Sequence, residues 1–394
     1  MKKVIISAAI LIFAIFTANA QEKLIKKSVD FSAEQMKLMV QQVDTFSKIP
    51  SPRTTAKDRK STGYTTLNDW TSGFFPGSLW YLYELTDDKS WLPSAVKYTE
   101  GMEHIKNFTG NHDIGFMINC SFGNGLRITG NPEYKEVLVT AAKTLTKRFR
   151  KDAGIIQSWN KNKRWECPVI IDNMMNLELL FEATRLSGDS TFWNIAISHA
   201  DLTMKNHYRK DMSCWHVVDY DPTQMDAIRG KYTSQGYSDD SAWARGQAWG
   251  LYGYTLCYRY THDIRYLKQA EAIAEFIFNN PNLPKDLVPY WDYDAPKTTP
   301  AQPRDASAAA ITASALYELS LYSNDKSKEY KKLADKIVVS LASPAYTAKL
   351  GENGKFVLMH SVGSLPGKSE IDVPLVYADY YYLEALKRKR ELEK

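Results

Sequence analysis

Apolar positions recur along the chain at three- and four-residue spacing, and no stretch sustains the every-other-residue alternation of a half-buried strand. The pattern predicts a helical protein whose helices come in two kinds. One kind is apolar and aromatic and ends in a short polar turn: GSLWYLYELTDD (77–88), CSFGNGLRITGN (120–131), LELLFEATRLSGD (177–189), GLYGYTLCYRYTHD (250–263), SALYELSLYSND (314–325) and YYYLEALKRKR (380–390). Between them lie amphipathic helices with one charged face, such as YKEVLVTAAKTLTKRF, FWNIAISHADLTMKNH and KEYKKLADKIVVSLA. Spacings of roughly 45 to 75 residues are too long and irregular for a solenoid of about 34-residue repeats. The expected architecture is all-α: a closed double ring of helices, an α/α toroid whose inner helices wall a cavity.

The segments that enter the apolar helices are unusual. NDWTSGFFPGSLW, GNHDIGFMINC, RWECPVIIDNMMN, QGYSDDSAWARGQAWG, TPAQPRDASAAA and HSVGSLPGKSEIDVPLVYAD each set Gly, Pro, Asp or Trp immediately before a helix. In a helical ring these entries converge on one rim, where helix N-termini direct donors at an anionic ligand. Loop ends on a rigid scaffold commonly carry function. The long loop from Leu283 to Ala306, with Trp291-Asp292-Tyr293-Asp294, is expected to lie over the same cavity.

Residues 1–20, MKKVIISAAILIFAIFTANA, have two lysines, a short apolar run and a small-x-small end, the pattern of a cleavable signal peptide. The expectation is export to a bacterial periplasm, or secretion, as a single domain over 21–394, with no membrane span. Removing the two leader lysines takes the formal charge from +5 to +3, without a basic block, which argues against nucleic acid as a partner. The four cysteines, Cys120, Cys167, Cys214 and Cys257, lie far apart and form no CxxC, so neither a zinc site nor a redox pair is indicated, and free buried thiols are expected. Ten Trp, 24 Tyr and 15 Phe, many beside Gly, Asp or Asn, suit either a sugar cleft or an aromatic helical core.

Asp172 lies in PVIIDNMMNLELLFEA, at the edge of an apolar stretch that otherwise reads as a buried helix. An apolar neighbourhood raises a carboxyl pKa and keeps it protonated, as a general acid requires. Asp is equally a preferred N-cap, and the two roles are compatible. Asp113, in NHDIGFM, stands at the corresponding entry of the preceding unit, and two carboxylates facing one cavity are the usual minimum for acid/base work on a glycoside. Its neighbour His112 is more simply structural. The densest constellation, SDDSAWARGQAW (238–249), offers Arg245 as a fork for a carboxylate and Trp243 and Trp249 as stacking faces. The alternative is a packing turn in which Arg245 pairs with Asp239 or Asp240. His216, in CWHVVDYD, reads as a site residue or an exposed loop aromatic. No GxSxG, HExxH, Walker or Rossmann pattern is present.

At HDIGFM, IIDNMMNLELLFEA, WHVVDYD, QGYSDDSAWARGQAWGLYGY and DASAAAITASALYEL, the sequence resembles the unsaturated glucuronyl hydrolases, glycoside hydrolase family 88, from about Trp70 to Ala385. The resemblance implies an (α/α)6 barrel and removal of a 4,5-unsaturated uronic acid from the non-reducing end of lyase-generated glycosaminoglycan oligosaccharides. It implies a lyase upstream without physical contact, and no metal or other cofactor. It makes Asp172 the principal acid/base and Asp113 the second carboxylate. It places His216, Gln235, Arg245 and Trp249 around the substrate, with Trp70 and Trp159 as stacking walls. HSVGSLPGKSE (360–370) resembles the region that meets the next sugar, with Ser361, Ser364 and, at a looser spacing, Lys368 as sulfate contacts. Rival readings are an unsaturated rhamnogalacturonyl hydrolase acting on pectin fragments, a non-catalytic glycan-binding protein of the same fold, and an exported scaffold domain.

Overall fold

The computed structural model describes residues 2–56 and 58–393, with side chains described from Glu22 onward. The expected leader at 1–20 falls on residues whose side chains lie outside the described set.

The described residues form thirteen α-helices: α1 (Lys2–Val43), α2 (Phe74–Thr86), α3 (Leu92–Glu100), α4 (Ile114–Ile118), α5 (Asn124–Thr129), α6 (Pro132–Thr146), α7 (Asn173–Ser187), α8 (Ser190–Asn206), α9 (Ala244–Thr261), α10 (Ile264–Asn279), α11 (Ala306–Leu319), α12 (Ser327–Leu341) and α13 (Val376–Leu392). Six rods form the inner ring: α2, the α4–α5 pair, α7, α9, α11 and α13. Their apolar residues are buried on all sides; every residue of α11 is buried. The outer helices α3, α6, α8, α10 and α12 bury one face only, as their charged stripes require. α13 packs on both α11 and α2 and so closes the ring, with α1 laid across α2 and α13 through Ile25, Val29, Met36 and Met39.

One two-residue link turns four inner helices into outer ones. Asp87, Gly130, Gly188 and His262 end α2, α5, α7 and α9 in the left-handed conformation. The next residue is Asp88, Asn131, Asp189 or Asp263, whose side chain accepts a backbone N–H of the following helical turn. A left-handed stop followed by an Asp or Asn cap reverses the chain with few unpaired backbone groups. This link is the recurrent polar turn of the sequence.

Two features depart from the expectation. The second inner unit, expected from Cys120, begins at Ile114 and passes through a π-turn at Asn119–Gly123 before α5. There α2 comes very close: a Cβ on Gly77 would lie 2.6 Å from the Cys120 carbonyl oxygen, so only glycine fits. The sequence also pointed to no strands, yet short ones flank the ring. β1 (Ser51–Thr55) pairs with β2 (Thr62–Thr65), and β3 (Phe149–Arg150) with β4 (Ile155–Ile156). β5 (Cys167–Ile170), β6 (Val217–Tyr220) and β7 (Ile228–Tyr232) form an antiparallel sheet, and β8 (Ser361–Ser364) pairs with β9 (Ser369–Val373). Residues 168–170, expected as part of a buried helix, belong to strand β5 because Pro168 has no N–H for a helical ladder and Val169 and Ile170 are β-branched. The four cysteines are free and buried. Among the described residues, no helix is long and apolar enough to cross a membrane.

Candidate active site

The inner helices begin on one rim, and that rim holds most of the candidate residues. Asp305 caps α11 conventionally, accepting from the backbone N–H groups of Ser307 and Ala308. Asp172 occupies the same position before α7 and Asp113 before α4, but neither side chain caps its helix. Two buried carboxyls are thus left free of the role their position suggests.

Asp172 is set in place by the sheet. Ile170 pairs with Val217, and the next rung is the Ile171 N–H to the His216 carbonyl at 3.1 Å. That register brings His216 beside the start of α7. The backbone N–H groups of Ser234 and Gln235 both point at His216 Nδ1, each at 3.1 Å, so Nδ1 accepts and the ring proton resides on Nε2. Nε2 faces Asp172 Oδ2 at 3.8 Å, longer than a hydrogen bond. Burial, reinforced by the Arg245 charge, holds His216 well below the usual imidazole range, so it is a neutral donor.

Burial pushes the Asp172 carboxyl up to about 7, against the opposing pull of the Arg245 charge and of the Trp249 indole N–H. That N–H faces the carboxyl without closing a hydrogen bond of ordinary geometry. Asp113 is raised well above the usual carboxylate range, first by burial and then by the charges of Asp172 and Asp69, with Arg148 acting the other way. Desolvation and a like-charged neighbour both favour the neutral form. α4 lies directly against α7 there: the Phe116 N–H donates to Asn176 Oδ1 at 2.9 Å, and Gly115 leaves no space for a Cβ against that oxygen. His112, whose Nε2 lies 3.3 Å from Asp113 Oδ1, is depressed by burial to about 3 and is neutral.

Arg245 is almost wholly buried, and its fork is committed within the protein. It donates to Asp305 Oδ2 at 2.8 Å and to the carbonyls of Val362 and Gly363 at 2.5 and 2.8 Å, while its guanidinium lies 4.4 Å from the Trp243 ring. Asp239 and Asp240 do not pair with it. Gln235 Nε2 donates to the same Gly363 carbonyl at 2.8 Å, so both residues anchor the β8–β9 hairpin beside the site. Trp249 packs on Phe116 at 5.1 Å, and Phe116 on Trp70 at 5.6 Å, forming one aromatic wall. Trp159 stands edge-on to His216 at 6.2 Å and forms another.

The expected sulfate contacts lie on the β8–β9 hairpin. Ser361 is fully buried, and its hydroxyl accepts from the Ser307 N–H at 3.2 Å, inside the start of α11. Ser364 accepts from the Gly367 N–H at 3.1 Å and closes the hairpin turn, on which Lys368 is exposed. The 283–306 loop braces the entry to α9: Asp292 Oδ2 accepts from the Tyr237 N–H at 2.8 Å and the Ser241 hydroxyl at 2.7 Å.

Three residues not singled out from the sequence belong to the rim. Arg53, on β1, donates bidentately to Glu370 at 2.6 and 2.9 Å and to Asp69 at 2.5 Å. It thereby ties the hairpin to the turn carrying Trp70. Asp69 sits inside the NDW entry motif and was legible as a helix-entry carboxylate. Arg53 and Glu370 are brought together only by the closed ring and carry no local signal.

A cavity of about 890 Å³ opens at the opposite end of the ring, where the inner helices terminate. Neither Asp113, Asp172 nor His216 lines it, and its acids include Glu318, paired with Arg259 and Arg388 at 3.1 and 2.8 Å. Asp113 and Asp172, whose carboxyls burial raises and whose side chains leave their helices uncapped, lie instead at the N-terminal rim. Among the described residues, no group of three His, Cys, Asp or Glu is arranged to hold a metal ion.

The model of Glycosyl Hydrolase Family 88 matches residues 47–391. The chain belongs to this family. An unsaturated glucuronyl hydrolase of Formosa agariphila is 52% identical over 326 residues, 82% of this chain and 80% of the relative. An unsaturated chondroitin disaccharide hydrolase of Streptococcus pyogenes is 32% identical over 375 residues, 92% of this chain and 90% of the relative. Among solved structures, an unsaturated glucuronyl hydrolase specific for heparin superposes with a TM-score of 0.90 at 45% identity, covering 94% of this chain and 98% of the other. The family resemblance read from the motifs is borne out, and with it the (α/α)6 barrel.

Proposed function

We propose that this family 88 enzyme removes the 4,5-unsaturated uronic acid from the non-reducing end of glycosaminoglycan oligosaccharides left by a lyase. The observation that carries the reading is the uncapped, buried Asp172 carboxyl, pushed up to about 7, at a rim walled by Trp249 and Trp159. The relatives' activities on heparin and chondroitin products support the substrate class, the heparin-specific structure being the more similar of the two.

The substrate's C4=C5 bond is an enol ether. Asp172 gives its proton to C4, and the positive charge that forms at C5 is shared with the ring oxygen. Water adds to C5 as its proton passes to the Asp172 carboxylate, which restores the acid. The resulting hemiketal opens by cleavage of C5–O5, leaving a ketone at C5 and a hydroxyl on C1. C1 then expels the next sugar and becomes an aldehyde. The neutral His216 turns its Nε2 proton toward the reacting carboxyl at 3.8 Å, and Asp113 faces the sugar ring and its hydroxyls. A neutral His216 adds no second positive charge against the developing cation.

The reaction removes the conjugated alkene and its ultraviolet absorbance. Purified protein is mixed with unsaturated disaccharides from heparin, chondroitin, hyaluronan and pectin side by side. Absorbance loss with the glycosaminoglycan products is expected. Loss with the pectin product alone would contradict the reading and favour the rhamnogalacturonyl activity. Export by a leader over 1–20 is part of the same proposal, and it predicts a mature protein that begins at Gln21.

A further inference from the structure

Of the residues expected to meet sulfate, Ser361 is fully buried and Ser364 accepts a backbone N–H in the hairpin turn, which leaves open what else would read an anionic substituent beyond the unsaturated sugar. The loop between Trp159 and Trp165 carries three cations in five residues, Asn160-Lys161-Asn162-Lys163-Arg164, all exposed. Its base is pinched by the two indoles, 5.6 Å apart, and Trp159 is the wall that stands edge-on to His216. Its form is fixed. Asn162 Oδ1 accepts from the Arg164 and Trp165 N–H groups at 2.8 and 3.1 Å, and the Asn162 N–H donates to the Trp165 carbonyl at 3.0 Å. Arg148, whose charge acts on Asp113, holds Asn160 Oδ1 with two donors at 3.2 Å. The first end of the loop, Trp159 and Asn160, is therefore built against His216 and Arg148, groups that adjoin the two carboxyls, and its other end, Trp165, packs on Trp159.

The cations are available. Lys161 pairs with Glu166 at 2.6 Å and Arg164 with Asp239 at 3.5 Å, both exposed pairs of the kind that contribute little. Arg164 lies over the rings of Trp165 and Tyr232, at 4.7 and 5.3 Å. Among the described residues Lys163 makes no hydrogen bond or ion pair, and it is exposed. Counting Glu166 and Asp239, the patch still carries a net positive charge.

We propose that the Asn160–Arg164 loop is an anion-reading wall of this site, with Lys163 and Lys161 contacting a sulfate group on the sugars that follow the unsaturated uronic acid. The inference rests on the activity proposed above and adds to it the substituent that is recognised and the residues that recognise it.

Two heparin-type unsaturated disaccharides, one sulfated on the second sugar and one not, serve as probes. The quantity read is the ratio of their kcat/KM values in the unaltered protein, in Lys163→Gln, in Lys161→Gln/Lys163→Gln and in Lys163→Arg. The ratio is expected to fall about two- to fivefold for each lysine removed and to recover in Lys163→Arg. KM for the sulfated disaccharide is expected to rise more steeply with salt than KM for the other. A variant that merely folds poorly lowers both rates and leaves the ratio unchanged, and an unchanged ratio overturns the proposal. Equilibrium binding of the two disaccharides by the full chain carrying Asp172→Asn, with and without Lys163→Gln, reads the same ratio without turnover. A fall there, combined with no turnover of either sugar by the unaltered protein, would keep the anion wall and remove the proposed reaction.

Discussion

Asp172 and Asp305 occupy equivalent helix entries, and the difference between them separates structure from chemistry. Asp305 caps α11 with its side chain and also holds Arg245; Asp172 leaves its helix uncapped and, with its carboxyl pushed up to about 7, keeps a protonated fraction near neutrality. This has consequences for rate and for stability, and both fall as pH rises. As a general acid Asp172 works protonated, so kcat/KM is expected to fall as pH rises through about 7. Its folded pKa lies above the unfolded value, so the stability it contributes is complete below roughly pH 4 and is lost as pH rises through the folded value. Asp172→Asn removes an ionisation that burial penalises at high pH. The variant is therefore expected to gain stability over the unaltered protein at pH 8 by about 1–4 kcal/mol relative to any difference at pH 5. Urea unfolding at the two pH values measures this, and an equal difference at both would contradict the buried, protonated carboxyl. The sequence indicated that an Asp stood at an apolar helix entry. It could not show that the cap was unmade, because that depends on the turn's backbone geometry.

At the scale of elements, helices were legible and strands were not. Inner helices are buried all round and outer ones on one face, so their compositions alternate visibly along the chain. The strands are only two to five residues long, and the pairing that matters most to the site, β5 with β6, joins segments distant in sequence. Their register nevertheless puts His216 against Asp172. Pro168 was the local sign that the apolar run before Asp172 was not helix throughout. The β8–β9 hairpin depends on a comparably distant contact, the Arg53 fork on Glu370 and Asp69. Arg53→Met is expected to destabilise the protein by about 1–3 kcal/mol, as a partly exposed pair is weaker than a buried one. It should also raise KM several-fold more than it lowers kcat, because it loosens a wall of the site and leaves the acid intact. Arg53→Lys cannot reproduce the bidentate contact and should resemble Arg53→Met. Steady-state kinetics with the unsaturated disaccharide decide this, and an unchanged KM would show that the hairpin is held without Arg53.

Across the whole molecule, the ring is fastened by α13. Glu384 on that helix accepts from Tyr81 on α2, Tyr252 on α9 and Ser314 on α11, at 2.7, 2.9 and 2.5 Å. One buried carboxylate thus joins four inner helices near the end away from the chemistry. Its role was invisible in YYYLEALKRKR, where a glutamate on a helix reads as a solvated charge. The closed ring was legible as alternation, because a chain with six buried helices and one-faced partners must arrange the buried set inside. The division of labour between its two ends follows from helix direction: N-terminal entries supply backbone donors and free carboxyls, while C-terminal ends gather arginines such as Arg259 and Arg388 that pair with acids.

The central claim is that Asp172 delivers the proton to C4. Its most direct test is the rate of alkene absorbance loss by Asp172→Asn at saturating unsaturated glycosaminoglycan disaccharide, paired with the equilibrium affinity of the same variant for that sugar. The rate is expected to be lower by about a hundredfold or more, with affinity within about threefold, since the amide preserves shape and removes only the acid. A rate within tenfold of the unaltered protein, with binding intact, would place the proton donor elsewhere on the rim.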